Sequence, residues 1–150
     1  MYNGTATNCT FTGNSAEYGG AMRGGTATNC TFVGNSASER GGGMLNGTAI
    51  NCTFIGNVSD GGGGALDYGT ATSCIFNDNS AFQEGGGMRD GSAVNCTFTG
   101  NYAFTGGGKS YGTATNCIFT GNSAIYGGGM YYGTATNCSF FGNQVGEDQY

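Results

Sequence analysis

Residues 4–16 read Gly-Thr-Ala-Thr-Asn-Cys-Thr-Phe-Thr-Gly-Asn-Ser-Ala, and residues 19–22 read Gly-Gly-Ala-Met. Close copies of this phrase recur every 21 or 22 residues through the 150-residue chain. Such a period is typical of solenoids, in which one repeat cannot bury its apolar face alone and stacks on its neighbours. We therefore predict one solenoid domain over residues 1–150, with repeats that begin near Gly4, Gly25, Gly47, Gly69, Gly91, Gly112 and Gly133.

The pattern inside each repeat predicts strands. Thr, Phe and Cys alternate with period two in short segments bounded by glycine, which favours strands over helices. A period of 21 or 22 residues accommodates three short strands and three turns. We expect an all-β, single-stranded parallel β-helix of about seven coils, roughly 33 Å long at about 4.8 Å per coil.

Three unbroken columns of side chains are expected to point into this rod. One column is phenylalanine: Phe11, Phe32, Phe54, Phe76, Phe98, Phe119 and Phe140. Another is cysteine: Cys9, Cys30, Cys52, Cys74, Cys96, Cys117 and Cys138. The third is asparagine, which predicts a buried turn with a ladder of hydrogen-bonded amides. Its members are Asn14, Asn35, Asn57, Asn79, Asn101, Asn122 and Asn143.

A fourth inward column is mostly methionine and carries one exception. Met22, Met44, Leu66, Met88 and Met130 share the third predicted strand, and Lys109 takes the same place in its repeat. A lysine there predicts either a phase shift of one residue or a side chain that reaches outward to solvent, in preference to a buried functional amine.

Composition excludes several classes of function. Only 9% of residues are charged, and the net charge of −5 includes four basic side chains and no basic run, so nucleic-acid binding is not expected. No segment approaches the eighteen apolar residues of a membrane span. Seven cysteines at one per repeat make neither a zinc motif nor a disulfide framework. We expect buried thiols, no metal and no cofactor, with any export signal outside this chain.

No catalytic residues are assigned. The chain has no histidine, and its acidic residues fall at different phases of the repeat. The best local group is Asp67 and Asp90 with Arg89, which we interpret as solvated turn residues. Tyrosines late in the chain offer rings that could stack on sugars or pack laterally: Tyr111, Tyr126, Tyr131 and Tyr132.

Outward threonines form the candidate binding face. Alternation exposes two columns of mostly Thr, with rungs about 4.8 Å apart along the rod. Regular arrays of this kind resemble the ice-binding faces of solenoid antifreeze proteins. The array comprises Thr5, Thr7, Thr26, Thr28, Thr48, Thr70, Thr72, Thr113, Thr115, Thr134 and Thr136.

The repeats also resemble those of right-handed parallel β-helix proteins that bacteria secrete or display on their surface. Phe11–Asn14 and Gly19–Met22 are similar to the chlamydial polymorphic outer-membrane protein and adhesin repeats. The resemblance covers residues 4 to 143 and implies a right-handed coil. It also implies an extracellular or cell-surface location, with adhesion, a structural role or polysaccharide handling as the function.

These observations predict a non-enzymatic structural solenoid of the cell surface. The chain starts and stops within repeats, so we expect uncapped ends. These ends would associate with other copies into a filament, or the chain would form the stalk of an adhesin-like protein. One alternative is an ice-binding protein that uses the Thr array. Another is a carbohydrate-binding or lyase-like β-helix module with a polysaccharide partner.

Overall fold

The computed structural model describes residues 1–146, and all regular structure in this part of the chain is β-strand. Every strand pairs in parallel with the equivalent strand of the next coil. The predicted parallel β-solenoid is therefore confirmed. Six coils are complete, and a seventh runs through its third strand at Gln144–Val145. Glu147 and Asp148 lie outside the described residues.

Four sheets run along the rod, and we number them by their order within a coil. Sheet 1 contains Thr5–Thr7, Thr26–Thr28, Thr48–Ile50, Thr70–Thr72, Ser92–Val94, Thr113–Thr115 and Thr134–Thr136. Sheet 2 contains Thr10–Thr12, Thr31–Val33, Thr53–Ile55, Ile75–Asn77, Thr97–Thr99, Ile118–Thr120 and Ser139–Phe141. Sheet 3 contains Ser15–Tyr18, Ser36–Arg40, Val58–Ser59, Ser80–Ala81, Tyr102–Thr105, Ser123–Tyr126 and Gln144–Val145. Sheet 4 contains Met22–Arg23, Met44–Leu45, Leu66–Asp67, Met88–Arg89, Lys109–Ser110 and Met130–Tyr131.

Sheets 1, 2 and 4 contain the three strands predicted from the repeat, and sheet 3 is an addition. Five of its seven strands carry Ala at the second position, but their lengths and remaining residues differ, from Ser-Ala-Glu-Tyr in the first coil to Val-Ser in the third. They still pair because parallel coils align their backbones whatever the side chains are. The strands also differ in length, so the extra residue of the longer repeats is accommodated here, as the bulge between Ala16 and Tyr18 shows.

Each coil turns at four corners, and a residue with positive φ marks each of them. Asn8, with φ of 55°, ends sheet 1, and Gly13, with φ of 62°, ends sheet 2. Gly19 precedes sheet 4 with φ of 62°, and Asn46 follows sheet 4 in its coil with φ of 53°. Glycine and asparagine are the residues that enter the left-handed region most readily. The period of the sequence is thus the period of its corners.

The core is a stack of flat rings. Successive phenylalanine rings from Phe11 to Phe140 have centroids 4.6 to 5.0 Å apart and planes within 10° of parallel. Alanines, cysteines and the methionine column fill the remaining space, and most of them are fully buried. Because every coil repeats the same side chain at the same height, the cross-section is constant along the rod.

The asparagine column forms a continuous buried ladder. The Asn79 side-chain amide donates to Asn101 Oδ1 at 3.0 Å and to the carbonyl oxygen of Phe54 at 3.0 Å. Asn79 Oδ1 accepts from both the backbone and the side-chain N–H of Asn57, each at 2.9 Å. The amide therefore satisfies its own groups and a backbone carbonyl in a dry interior, where unpaired polar atoms are costly. The residue with positive φ at this corner is the one that directly precedes each ladder asparagine, such as Gly13 before Asn14.

Candidate functional site

The structure places the predicted threonine array on sheet 1 in strict register. Thr5 lies beside Thr26, and Thr7 lies beside Thr28. Their side chains point outward while the intervening alanines are buried. Ile50 and Val94 interrupt the second column. The backbone spacing of the array is therefore regular, but its side chains are not all hydroxyl-bearing.

The cysteines form a column of free thiols inside the rod. The Cys52 thiol donates to the carbonyl oxygens of Ile50 at 3.3 Å and Ala27 at 3.4 Å, and its sulfur accepts from the backbone N–H of Cys30. Burial raises the pKa of the Cys30 thiol, which keeps it protonated. No group of three His, Cys, Asp or Glu side chains within residues 1–146 is arranged to hold a metal ion.

The charged residues meet at the corner around sheet 4. Arg89 Nη1 lies 3.4 Å from Asp67 Oδ2, and Arg89 Nε lies 2.9 Å from Glu84 Oε2, in an ion pair whose alignment is too bent for a good hydrogen bond. Asp67 has no exposed surface, so the interpretation of this residue as a solvated turn residue is wrong. Removal from water raises the pKa of Asp67 to about 6, against the opposing effect of Arg89.

Lys109 is buried in the methionine column and pairs in register with Met88 and Met130. Both sequence expectations for it, a phase shift and an outward side chain, are therefore wrong. Its Nζ donates to the carbonyl oxygen of Asp90 at 2.6 Å. Loss of hydration lowers the pKa of Lys109 to about 8, although the nearby Asp90 carboxylate acts in the other direction. Parallel pairing to both neighbouring coils fixes the register, and the side chain has to follow it.

Three tyrosines occupy left-handed positions at the corner after sheet 4. Tyr68, Tyr111 and Tyr132 have φ of 50°, 59° and 48°, at the corner where Asn3, Gly24 and Asn46 stand in other coils. We call these three residues the tyrosine column. A bulky side chain in this region is a real outlier and costs about 1–3 kcal/mol. Backbone geometry alone would select glycine or asparagine, so the rings are present for what their side chains do.

A chain of polar contacts holds two of these rings in place. Arg89 Nη2 donates to Tyr68 OH at 3.0 Å, and the guanidinium carbon lies 4.9 Å from the centre of the Tyr68 ring. On the other side of the same ion pair, Tyr111 OH donates to Glu84 Oε1 at 3.0 Å and its pKa is raised by that bond. One arginine–glutamate pair thus orients tyrosines that stand two coils apart.

The tyrosine column continues into a larger aromatic group. Tyr111 and Tyr132 are parallel, with ring centroids 6.2 Å apart and planes 6° from parallel. Tyr131 meets Tyr132 edge to face at 4.7 Å, and Tyr126 lies 6.3 Å from Tyr131. The structure therefore brings together the four tyrosines singled out in the sequence. Sequence reasoning missed Tyr68, although its place directly before the Gly-Thr that opens a repeat was a usable signal.

Comparison with known families gives one match. Residues 8–21 and 51–67 match the model of the Chlamydia polymorphic membrane protein repeat. The chain is a parallel β-helix repeat protein, and these two stretches are similar to that repeat. The first stretch runs from the first corner through sheets 2 and 3 to the glycine run, and the second continues through sheet 4, so the similarity lies in the scaffold. No curated protein and no solved structure matches the chain significantly.

Polymorphic membrane protein repeats and this fold fit a surface, adhesin-like repeat protein. Within residues 1–146, the structure offers no helix of the length and apolarity needed to cross a membrane. The corner after sheet 4, with its tyrosine column and the buried Asp67 and Lys109 beside it, is the candidate functional site.

Proposed function

We propose that the chain is a non-enzymatic structural solenoid of the cell surface, which extends by stacking its outer coils on further coils. Stacking on a second copy gives a filament, and stacking on more of the same polypeptide gives a stalk. The core supports this role, because ring, thiol and amide columns run through every coil and make a rod of constant cross-section.

The observation that carries the proposal is the complementarity of the two outer coils. Within the ladder, each asparagine oxygen accepts from the asparagine of the preceding coil. In the first coil Asn14 Oδ1 has no such donor among the described residues, and in the seventh the backbone N–H of Asn143 has no such acceptor. The Phe140 ring is 46% exposed at the same end. One end offers acceptors where the other offers donors, and a non-closing contact of this kind builds an open fibre.

Phe140→Lys tests end-to-end stacking. A charged side chain in the ring column should prevent another coil from docking, so particles longer than one chain should disappear in negative-stain electron microscopy and sedimentation velocity. Native protein should form fibres, whereas a single seven-coil unit is about 33 Å long. Phe141→Lys is the matched control, because Phe141 is 59% exposed on the outside of sheet 2 and lies outside the ring column.

Fibres that persist in Phe140→Lys would overturn stacking through the ring column, and native protein that stays as single short rods at high concentration would overturn the filament and leave the stalk. Circular dichroism of both variants establishes that the coils remain folded.

Ice binding is the second candidate, and the register of sheet 1 favours it. Outward hydroxyl groups repeat along the rod with the spacing of the coils, which is the regular array such a surface requires. Thr26→Tyr places a bulky ring on the second of the seven coils of the array and should abolish thermal hysteresis if native protein shows it. Native protein without thermal hysteresis at millimolar concentration removes this candidate.

A further inference from the structure

The tyrosine column has an unexplained property, since its rings stand where backbone geometry disfavours them and their orientation is fixed. Tyr68 is 43% exposed and Tyr132 is 69% exposed, so both present ring surface to solvent. Arg89 and Glu84 hold Tyr68 and Tyr111 through hydrogen bonds and an ion pair. Rings that are costly to place, held in position and open to solvent are typical of a binding platform.

Polar groups accompany the Tyr68 ring in one depression. A shallow cavity of about 370 Å³ beside Tyr68 is lined by Asn46, Thr48, Thr70 and Asp90. These side chains offer hydroxyl, amide and carboxylate groups around one aromatic face. Asp90 stands between Tyr68 and Tyr111 on successive coils, so a short acidic side chain separates two large rings.

The array is long and narrow. From Asn46 to Tyr132 it occupies the same corner in five successive coils, a distance of about 19 Å at about 4.8 Å per coil. A ligand that used all of it would be extended and would carry repeating units along the rod axis.

The charges at this corner indicate the chemical class of that ligand. The Arg89 guanidinium is already occupied by Asp67, Glu84 and Tyr68, and Lys109 is buried beneath the corner. Asp90 lines the depression, with its Oδ1 accepting a hydrogen bond from the backbone N–H of Gly91 at 2.7 Å, and the whole chain carries a net charge of −5. An anionic polymer would meet no free cation here, whereas a neutral one can bond to the oxygens and amide.

We propose that the tyrosine column, with Asn46, Thr48, Thr70 and Asp90, binds a neutral polysaccharide that lies along the rod. Sugar rings have an apolar C–H face that packs on aromatic rings and a rim of hydroxyl groups that bonds to carboxylate, amide and hydroxyl side chains. Tyr132 lines the end of the rod together with Phe140, whereas Tyr68 and Tyr111 lie on inner coils away from the stacking faces. The Tyr68 and Tyr111 variants therefore separate this proposal from the proposed function, and either can fail alone.

Affinity gel electrophoresis tests this site with soluble neutral polysaccharides as probes: hydroxyethyl cellulose, laminarin, mannan and amylopectin. The variants are Tyr68→Asn, Tyr111→Asn and Tyr132→Asn, singly and together. Asparagine occupies the same corner at Asn3 and Asn46, so each variant should keep or raise the melting temperature. We expect at least one probe to retard native protein, each single variant to weaken retardation roughly two- to tenfold, and the triple variant to lose it.

Tyr102→Ser is the matched control. Tyr102 is 51% exposed on sheet 3, in line with Ser80 and Ser123, and it should not affect retardation. Heparin serves as the anionic probe. The proposal is overturned if no neutral probe retards native protein, if only heparin does, if Tyr102→Ser weakens binding as much as the column variants do, or if those variants change sedimentation without changing retardation.

Discussion

Replacing Lys109 with methionine should stabilise the rod by about 3 kcal/mol at pH 7. The lysine is fully buried between Met88 and Met130, and burial lowers its pKa to about 8. Holding a proton at pH 7 against that shift costs about 1.4 kcal/mol for each tenfold change in affinity. Apolar replacement of buried charge commonly stabilises proteins by 1–4 kcal/mol. Methionine already fits this column in the adjacent coils.

The pH dependence of stability gives the same prediction a second readout. The unfolded lysine has a pKa near 10.4 and the folded one a pKa of about 8, so the unfolded state binds more protons between these values. The free energy of unfolding of native protein should therefore rise from about pH 8 to about pH 10.4, and Lys109→Met should remove this rise.

Urea denaturation at several pH values measures both effects. Arg40→Met is the control, because Arg40 is exposed and its loss removes a charge without changing the core. If Lys109→Met is less stable than native protein, the bond from Nζ to the Asp90 carbonyl oxygen outweighs the burial of the charge.

Asn79→Ala should destabilise the rod by about 3–5 kcal/mol, the largest loss we expect from a single polar side chain. The change removes a buried amide at the middle of the ladder and leaves the donors of Asn57 and the Phe54 carbonyl oxygen without that partner, while Asn101 Oδ1 keeps only its bond from the backbone N–H of residue 79. Each unsatisfied buried group costs about 1–3 kcal/mol. The loss should be local first, because each coil of a solenoid contacts only its neighbours.

Hydrogen exchange measures this prediction coil by coil, with urea denaturation for the total. Amides near Asn57 and Asn101 should lose protection before those at the ends of the ladder. Asn77→Ala is the matched control, because Asn77 lies on the same coil with an exposed side-chain bond to Asp78, and it should change stability by less than about 0.5 kcal/mol. Equal losses of unfolding free energy in the two variants would show that the buried ladder asparagine stabilises the rod no more than Asn77 does.

The parallel solenoid and its columns could be predicted from the sequence because a repeat fixes the same environment many times. One Phe, Cys and Asn per period suffices to place three columns, since parallel stacking brings each residue onto its equivalent. Sheet 3 was not predicted as a strand, although Ala recurs at its second position in five of the seven coils. Beyond that alanine the strands differ in length and sequence, so only a short part of each carries a repeating signal.

The candidate site depended on tertiary structure for a related reason. Asp67 and Arg89 share one phase of the repeat and pair in register, whereas Glu84 lies at a different phase, and only the fold of the loop before sheet 4 brings Glu84 to the guanidinium. The sequence by itself determined the coil, its period and its inward columns, because these follow from identical residues stacked in register. The tertiary structure decided that Lys109 is buried and that Tyr68 and Tyr111 share one ion pair, because departures from a repeat take their position from the neighbouring coils.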